Sequence, residues 1–144
     1  MVEALLDDKE FGAHYVMITG NAKLVYFKAY YYCDSLPQFC YLFVTNSTDY
    51  PLKSINEANS KVIAMLKKMG YRNGCCFIQR DLDYDELNFI EMGYRLDGVT
   101  SFHLYKNMLG IDTIKIITDY VLFGKTNEKI SPQTGIYDKL GCYL

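Results

Sequence analysis

Between Ser54 and Gly70, Ile55, Ala58, Val62, Leu66 and Met69 recur at helical spacing, so one face of a helix is apolar and has to be buried. Ser54 followed by Glu57 reads as a capping box at its start. Lys67 and Lys68 suit the negative end of the helix dipole, and Gly70 ends the pattern. The period then changes. Cys75-Cys76-Phe77-Ile78 is a short continuous apolar run, which predicts an interior strand covered on both faces. Asp83 and Glu86 repeat the capping spacing ahead of Leu87 and Ile90, predicting a short helix that Gly93 stops. Beyond the turn at Asp97-Gly98, Val99 to Lys106 reads as a closing strand.

The preceding residues are written in strand language. Residues 1–12 read as a lead-in with one helical turn around Leu5 and Leu6. Tyr15 to Thr19 alternates, Gly20-Asn21 is a turn dipeptide, and Lys23 to Cys33 is rich in aromatic and β-branched residues. After a turn at Asp34-Ser35-Leu36-Pro37, Phe39 to Thr45 gives a third strand, and 46–53 is a polar loop. Past Lys106, Gly110 and Gly124 bracket an amphipathic helix through Ile114, Ile117 and Val121. Lys125 to Gly135 reads as a loop, and Ile136 to Leu144 as a last strand. The prediction is one α+β domain over residues 1–144. It has an antiparallel N-terminal meander, a crossover helix, a parallel core strand, a short helix, a closing strand and a C-terminal helical extension. The Phe39–Thr45 and Cys75–Ile78 strands are expected as parallel neighbours joined by a right-handed crossover, with a ligand crevice where they diverge.

Composition narrows the function classes. With 144 residues and 50% hydrophobic content the chain can bury a core. Its net charge is -2, from 15 basic and 17 acidic residues spread along the sequence. No basic cluster marks a nucleic-acid footprint, so nucleic acid is possible as a partner but unsupported by charge. The acidic start lacks the features of a secretory signal, and no apolar run approaches the roughly 18 residues of a membrane span. A cytoplasmic location away from membranes is expected. The five cysteines form no CxxC pair and only two histidines exist, so no metal site is expected and the thiols read as reduced.

Candidate chemistry is sparse. His14 and His103 have no assignable nucleophile or carboxylate partner. Asp81, Asp83, Asp85 and Glu86 read as helix-capping and dipole-matching acids more than as metal ligands. The 14 tyrosines, with no tryptophan, are the unusual feature. A run of three, Tyr30 to Tyr32, must show rings on both faces of a strand, and tyrosine is favoured at interfaces. Tyr26, Tyr30, Tyr32 and Tyr41 are therefore the expected contact surface for a protein partner.

The element order, with the turn Phe89-Ile90-Glu91-Met92-Gly93-Tyr94, resembles the GNAT superfamily of acyl-CoA-dependent N-acetyltransferases over residues 15–106. The tail around Gly135-Ile136-Tyr137-Asp138 is similar to GNAT-like domains encoded by tailed phages, which implies a phage or mobile-element source. The resemblance implies that acetyl-CoA, if bound, meets the start of the long helix at Lys53, Ser54, Ile55 and Asn56. Asn56 stands near the family's first phosphate-loop glycine, and Glu57 sets a negative charge beside that site. Phe89 falls where the family commonly places the tyrosine acid, leaving Tyr94 as a displaced proton donor. The expectation is a divergent, non-catalytic GNAT-like accessory module that binds a protein and needs no cofactor. The alternative is an active N-acetyltransferase using acetyl-CoA, with Tyr94 as its acid.

Overall fold

A computed structural model describes residues 10–32, 41–44, 52–83, 86–98 and 101–130. Strands β1 (Glu10–Ile18) and β2 (Asn21–Tyr32) form a hairpin whose two turn residues, Thr19 and Gly20, both have positive φ (52° and 83°). A two-residue turn of this hand matches the right-handed twist of the strands it joins. Next come β3 (Tyr41–Val44), helix α1 (Leu52–Lys68), β4 (Gly74–Asp83), β5 (Glu86–Gly93), α2 (Ser101–Leu109) and α3 (Thr113–Phe123). The sheet order is β3-β2-β1-β4-β5, and every neighbouring pair is antiparallel.

Strand alternation divides the core into two layers. Ala13, Tyr15 and Met17 of β1, with Cys76 and Ile78 of β4, meet Val62 and Leu66 of α1 on one face. On the other, Val16, Val25, Tyr26 and Cys75 meet Tyr105 of α2, Ile111, Ile116 of α3 and Ile130. With helices on both faces, β1 is buried from Phe11 to Met17 without a break. That is why its sequence alternates only weakly.

The first three strands, the hairpin, the long helix, the Cys75–Ile78 strand and the helix between Gly110 and Gly124 stand where the pattern put them, but the architecture differs from the expected mixed sheet. No parallel core strand forms among the described residues: β4 pairs with β1, and β2 and β1 lie between it and β3. A run buried on both faces specifies an interior position and says nothing of strand direction. The expected helix after Asp83 is strand β5. A register shift between Gln79 and Arg80 sets Glu91 opposite Gln79 and Phe89 opposite Arg80, leaving Ile90 as the extra residue. That bulge breaks the two-residue period and leaves Leu87 and Ile90 at a spacing that imitates a helix. The expected closing strand is helix α2, because Ser101 and Tyr105, four apart, are the positions it buries. Helix α1 starts at Leu52, so Ser54 lies inside its first turn rather than ahead of it. Residues 10–12, expected in the lead-in, belong to β1. The expected helical turn near Leu5 and Leu6, the 34–37 turn and the last strand at 136–144 lie outside the described residues, as does most of the 46–53 loop. No helix among the described residues is long and apolar enough to cross a membrane.

Candidate functional site

The register brings one polar set together on the α2/α3 side of the sheet. Gly12 faces both Lys28 and Gln79, His14 faces both Tyr26 and Phe77, Gln79 faces Glu91, and Phe77 faces Gly93. Near the hairpin turn this face is sealed by Tyr105 and its apolar neighbours. Toward Glu10 it carries half-buried Glu10 and Gln79 and exposed Glu91.

The floor is a buried polar cluster. Lys28 Nζ lies 2.7 Å from Asp97 Oδ2 and 3.4 Å from Ser101 Oγ, and Ser101 donates to the same Asp97 oxygen at 2.7 Å. His14 Nε2 is 3.5 Å from it. Lys28 reaches Asp97 by lying across Gly12. A methyl there would sit 2.7 Å from Lys28 Cε and 2.9 Å from the Phe77 ring, so only glycine leaves the path open. Burial lowers the Lys28 pKa, opposed by the Asp97 carboxylate beside it. Burial, and then the Lys28 charge, hold His14 well below the usual histidine range, so His14 is neutral among the rings of Phe77 (4.8 Å) and Tyr105 (5.0 Å).

The rim lies on three adjacent strands. The Gln79 amide donates to the Glu10 carboxylate, and Glu91 stands directly across from Gln79. Arg95 folds back over Gly93: a methyl at Gly93 would lie 3.2 Å from its Cγ and Nε. The guanidinium is thereby kept on the same side as Glu91, with one arm donating to the Leu96 carbonyl at 2.9 Å. Two carboxylates, an amide and a guanidinium thus share one partly exposed strip. No group of three His, Cys, Asp or Glu among the described residues could hold a metal ion. The strip still suits magnesium, which takes one or two carboxylates and completes its shell with water and substrate phosphates. The guanidinium suits phosphate oxygens.

Two cysteines and an arginine among the described residues are closed off from reaction. Burial pushes the thiols of Cys75 and Cys76 up to about 12 and 11, so both stay protonated and unreactive near neutral pH. On the α1 side, buried Arg80 donates to the Tyr15 hydroxyl at 2.8 Å and lies 5.0 Å from the Phe89 ring centre. A concavity of about 470 Å³ near the hairpin turn, floored by Val16 and Ile18, lies at the far end of the sheet, and its Lys23 donates to the Ile130 carbonyl.

The residues singled out from the sequence are scattered. Lys53, Ser54, Ile55 and Asn56 lie in the first turns of α1, the helix on the opposite side of the sheet from the strip. The Tyr94 hydroxyl donates to the Asn73 carbonyl and its ring stacks on Tyr71 at 4.1 Å, clipping the end of β5 to the turn before β4. Tyr26 is 1% exposed and packs on Tyr105, so it offers no contact surface. Tyr30 is half-buried with its ring centre 5.0 Å from Lys28 Nζ. Tyr32 and Tyr41 are backbone partners between β2 and β3, with side chains outside the described set. Sequence reasoning missed Lys28, Gln79, Glu91, Arg95 and Asp97. Part of the signal was present: Glu91 and Gly93 stand two apart on β5, which reading that segment as a helix conceals.

No protein-family model and no curated protein sequence matches the chain. Solved structures do. An L-amino acid ligase from Bacillus licheniformis aligns with a TM-score of 0.68 at 18% identity, covering 89% of this chain and 34% of the ligase. The biotin carboxylase domain of Hydrogenobacter thermophilus 2-oxoglutarate carboxylase, solved with MgADP, ADP and bicarbonate, gives 0.71 at 16%, over 94% of this chain and 29% of that one. A Campylobacter jejuni biotin carboxylase in complex with beta-gamma-ATP gives 0.61 at 17%, over 78% and 24%. The chain thus spans about a third or less of each neighbour's length. These neighbours have the ATP-grasp fold, which overturns the GNAT resemblance and the acyltransferase and accessory-module readings built on it. This chain shares the fold of the part of these ATP-grasp structures that it aligns with.

Proposed function

We propose that this chain is the nucleotide-handling part of an ATP-dependent ligase- or carboxylase-like protein, and that the Glu10–Gln79–Glu91 strip with Arg95 receives the phosphates of magnesium-bound ATP or ADP. The observation that carries this reading is the grouping of two carboxylates, an amide and a guanidinium on one face of adjacent strands. Its fold is shared with structures solved with MgADP and with beta-gamma-ATP, which supports the choice of ligand.

Glu91 and Glu10 would hold the cation, and Arg95 the phosphate oxygens. The cation supplies neutralisation of phosphate charge. The chain's own contribution is to orient these groups: Gln79 fixes Glu10 by donating to it, and Gly93 lets Arg95 fold back onto the face that carries Glu91. Since the match covers only part of each neighbour, the proposal extends to nucleotide and cation binding and to the class of reaction, with the second substrate left to regions outside the match.

Thermal unfolding and calorimetry with ATP, ADP and inorganic tripolyphosphate, each with and without magnesium, test it. A ligand at a hundredfold excess over its dissociation constant stabilises the fold by about 2.7 kcal/mol. Magnesium-dependent stabilisation by ATP is expected, and Glu91→Gln should weaken that dependence. A transition that none of the three polyphosphates moves, at millimolar concentration with magnesium, rejects the reading.

A further inference from the structure

Arg95 is carried by a short segment that is fastened at both ends. At one end the Tyr94 hydroxyl donates to the Asn73 carbonyl, and its ring stacks on Tyr71. At the other, one oxygen of Asp97 gathers Lys28 Nζ of β2 at 2.7 Å, Ser101 Oγ of α2 at 2.7 Å and His14 Nε2 of β1 at 3.5 Å. Between these fastenings Arg95 lies against Gly93, which has no side chain to lift it.

We propose that Asp97 is a positioning residue, whose carboxylate acts through the Tyr94–Asp97 segment to hold the Arg95 guanidinium over Gly93, on the face that carries Glu91. The inference deepens the nucleotide reading and rests on it. Two observations favour it over a purely stabilising role. Asp97 keeps its second oxygen buried with no hydrogen-bond partner, a costly arrangement that an apolar replacement of the Lys28–Asp97 pair would avoid. The cluster also reaches three separate elements from one atom, as a fixed anchor for a short segment requires. Asp97 sits too deep, at 4% side-chain exposure, to touch a ligand on the rim, so it acts only through its neighbours.

A double-mutant cycle tests this on the intact chain, using MgATP as the probe. Arg95→Ala, Asp97→Asn and the two combined are compared by calorimetry below their unfolding temperatures. Asp97→Asn should weaken binding on the order of tenfold, as losing a supporting partner commonly does. In the Arg95→Ala background it should add almost nothing, because both changes remove the same contact. Wild-type affinity in Asp97→Asn, or a loss that adds in full to that of Arg95→Ala, overturns the proposal. If Asp97→Asn does not fold, Lys28→Met/Asp97→Asn removes both buried charges and enters the cycle in its place, with the same expectation. A ligand-free measurement separates the two layers of argument. The Arg95 Nε–Hε order parameter should fall in Asp97→Asn, and an unchanged value overturns the positioning role whether or not MgATP binds. Failure of the wild type to bind MgATP instead rejects the nucleotide reading and removes the ligand this arginine is positioned for.

Discussion

At the residue scale, the cluster around Lys28 makes its energetics directly measurable. Removing one partner of a buried ion pair leaves an uncompensated charge, so Asp97→Ala should cost about 3–5 kcal/mol in chemical denaturation. Lys28→Met/Asp97→Asn should recover most of that loss, and a double variant as unstable as Asp97→Ala would contradict the pairing. Gly12→Ala should also destabilise, since its methyl would meet Lys28 Cε at 2.7 Å and the Phe77 ring at 2.9 Å. His14 adds a pH dependence whose sign is fixed by its environment: Asp97 and Lys28 beside it, with Tyr26, Phe77 and Tyr105 packed around. Its folded pKa lies below the unfolded value of 6.5. Between those values the unfolded chain holds more protons. The contribution is therefore complete above pH 6.5 and lost as pH falls through the folded pKa, at up to about 1.4 kcal/mol per unit. His14→Gln should flatten the stability profile on the acid side of neutrality; an unchanged slope there would show that other groups set it. The grouping of His14, Lys28 and Asp97 was not readable beforehand. Lys28 sits among aromatic strand residues and Asp97 beside a turn glycine, and only the pairing of β1 with both β2 and β4 makes them meet.

At the element scale, legibility followed the strength of the period. The α1 stripe through Ala58, Val62 and Leu66 and the Cys75–Ile78 run stood where their patterns put them, because burial on one or both faces leaves few alternatives, whereas Met69 falls just past the helix and is exposed. β5 and α2 exchanged identities in the reading for opposite reasons. In β5 a bulge removed the alternation; in α2 the apolar pair Phe102 and Leu104, two apart, hid the four-residue step from Ser101 to Tyr105. Tertiary pairing decided both, since β5 gains a full ladder against β4 that a lone short helix could not match. β5 is also an edge of the described sheet, with Phe89 45% and Ile90 49% exposed. Such an edge invites pairing with other chains. Ile90→Lys should leave stability within about 0.5 kcal/mol and reduce aggregation on refolding, as followed by light scattering. A large loss of stability would mean that Ile90 is packed in solution.

At the scale of the whole molecule, β1 is hydrogen-bonded along both edges and covered on both faces, while the Arg95 segment lies outside the ladder. The two regions should therefore exchange their amide hydrogens by different routes. Amides of β1 can open only with the whole domain, whereas those near Arg95 open by local motion. A nucleotide would slow exchange in β1 by the full binding free energy, though no β1 amide need touch it. Protection near Arg95 would instead report the quieting of a few residues. The slowest-exchanging strand thus gauges affinity, and the fast segment beside it reports where the ligand sits.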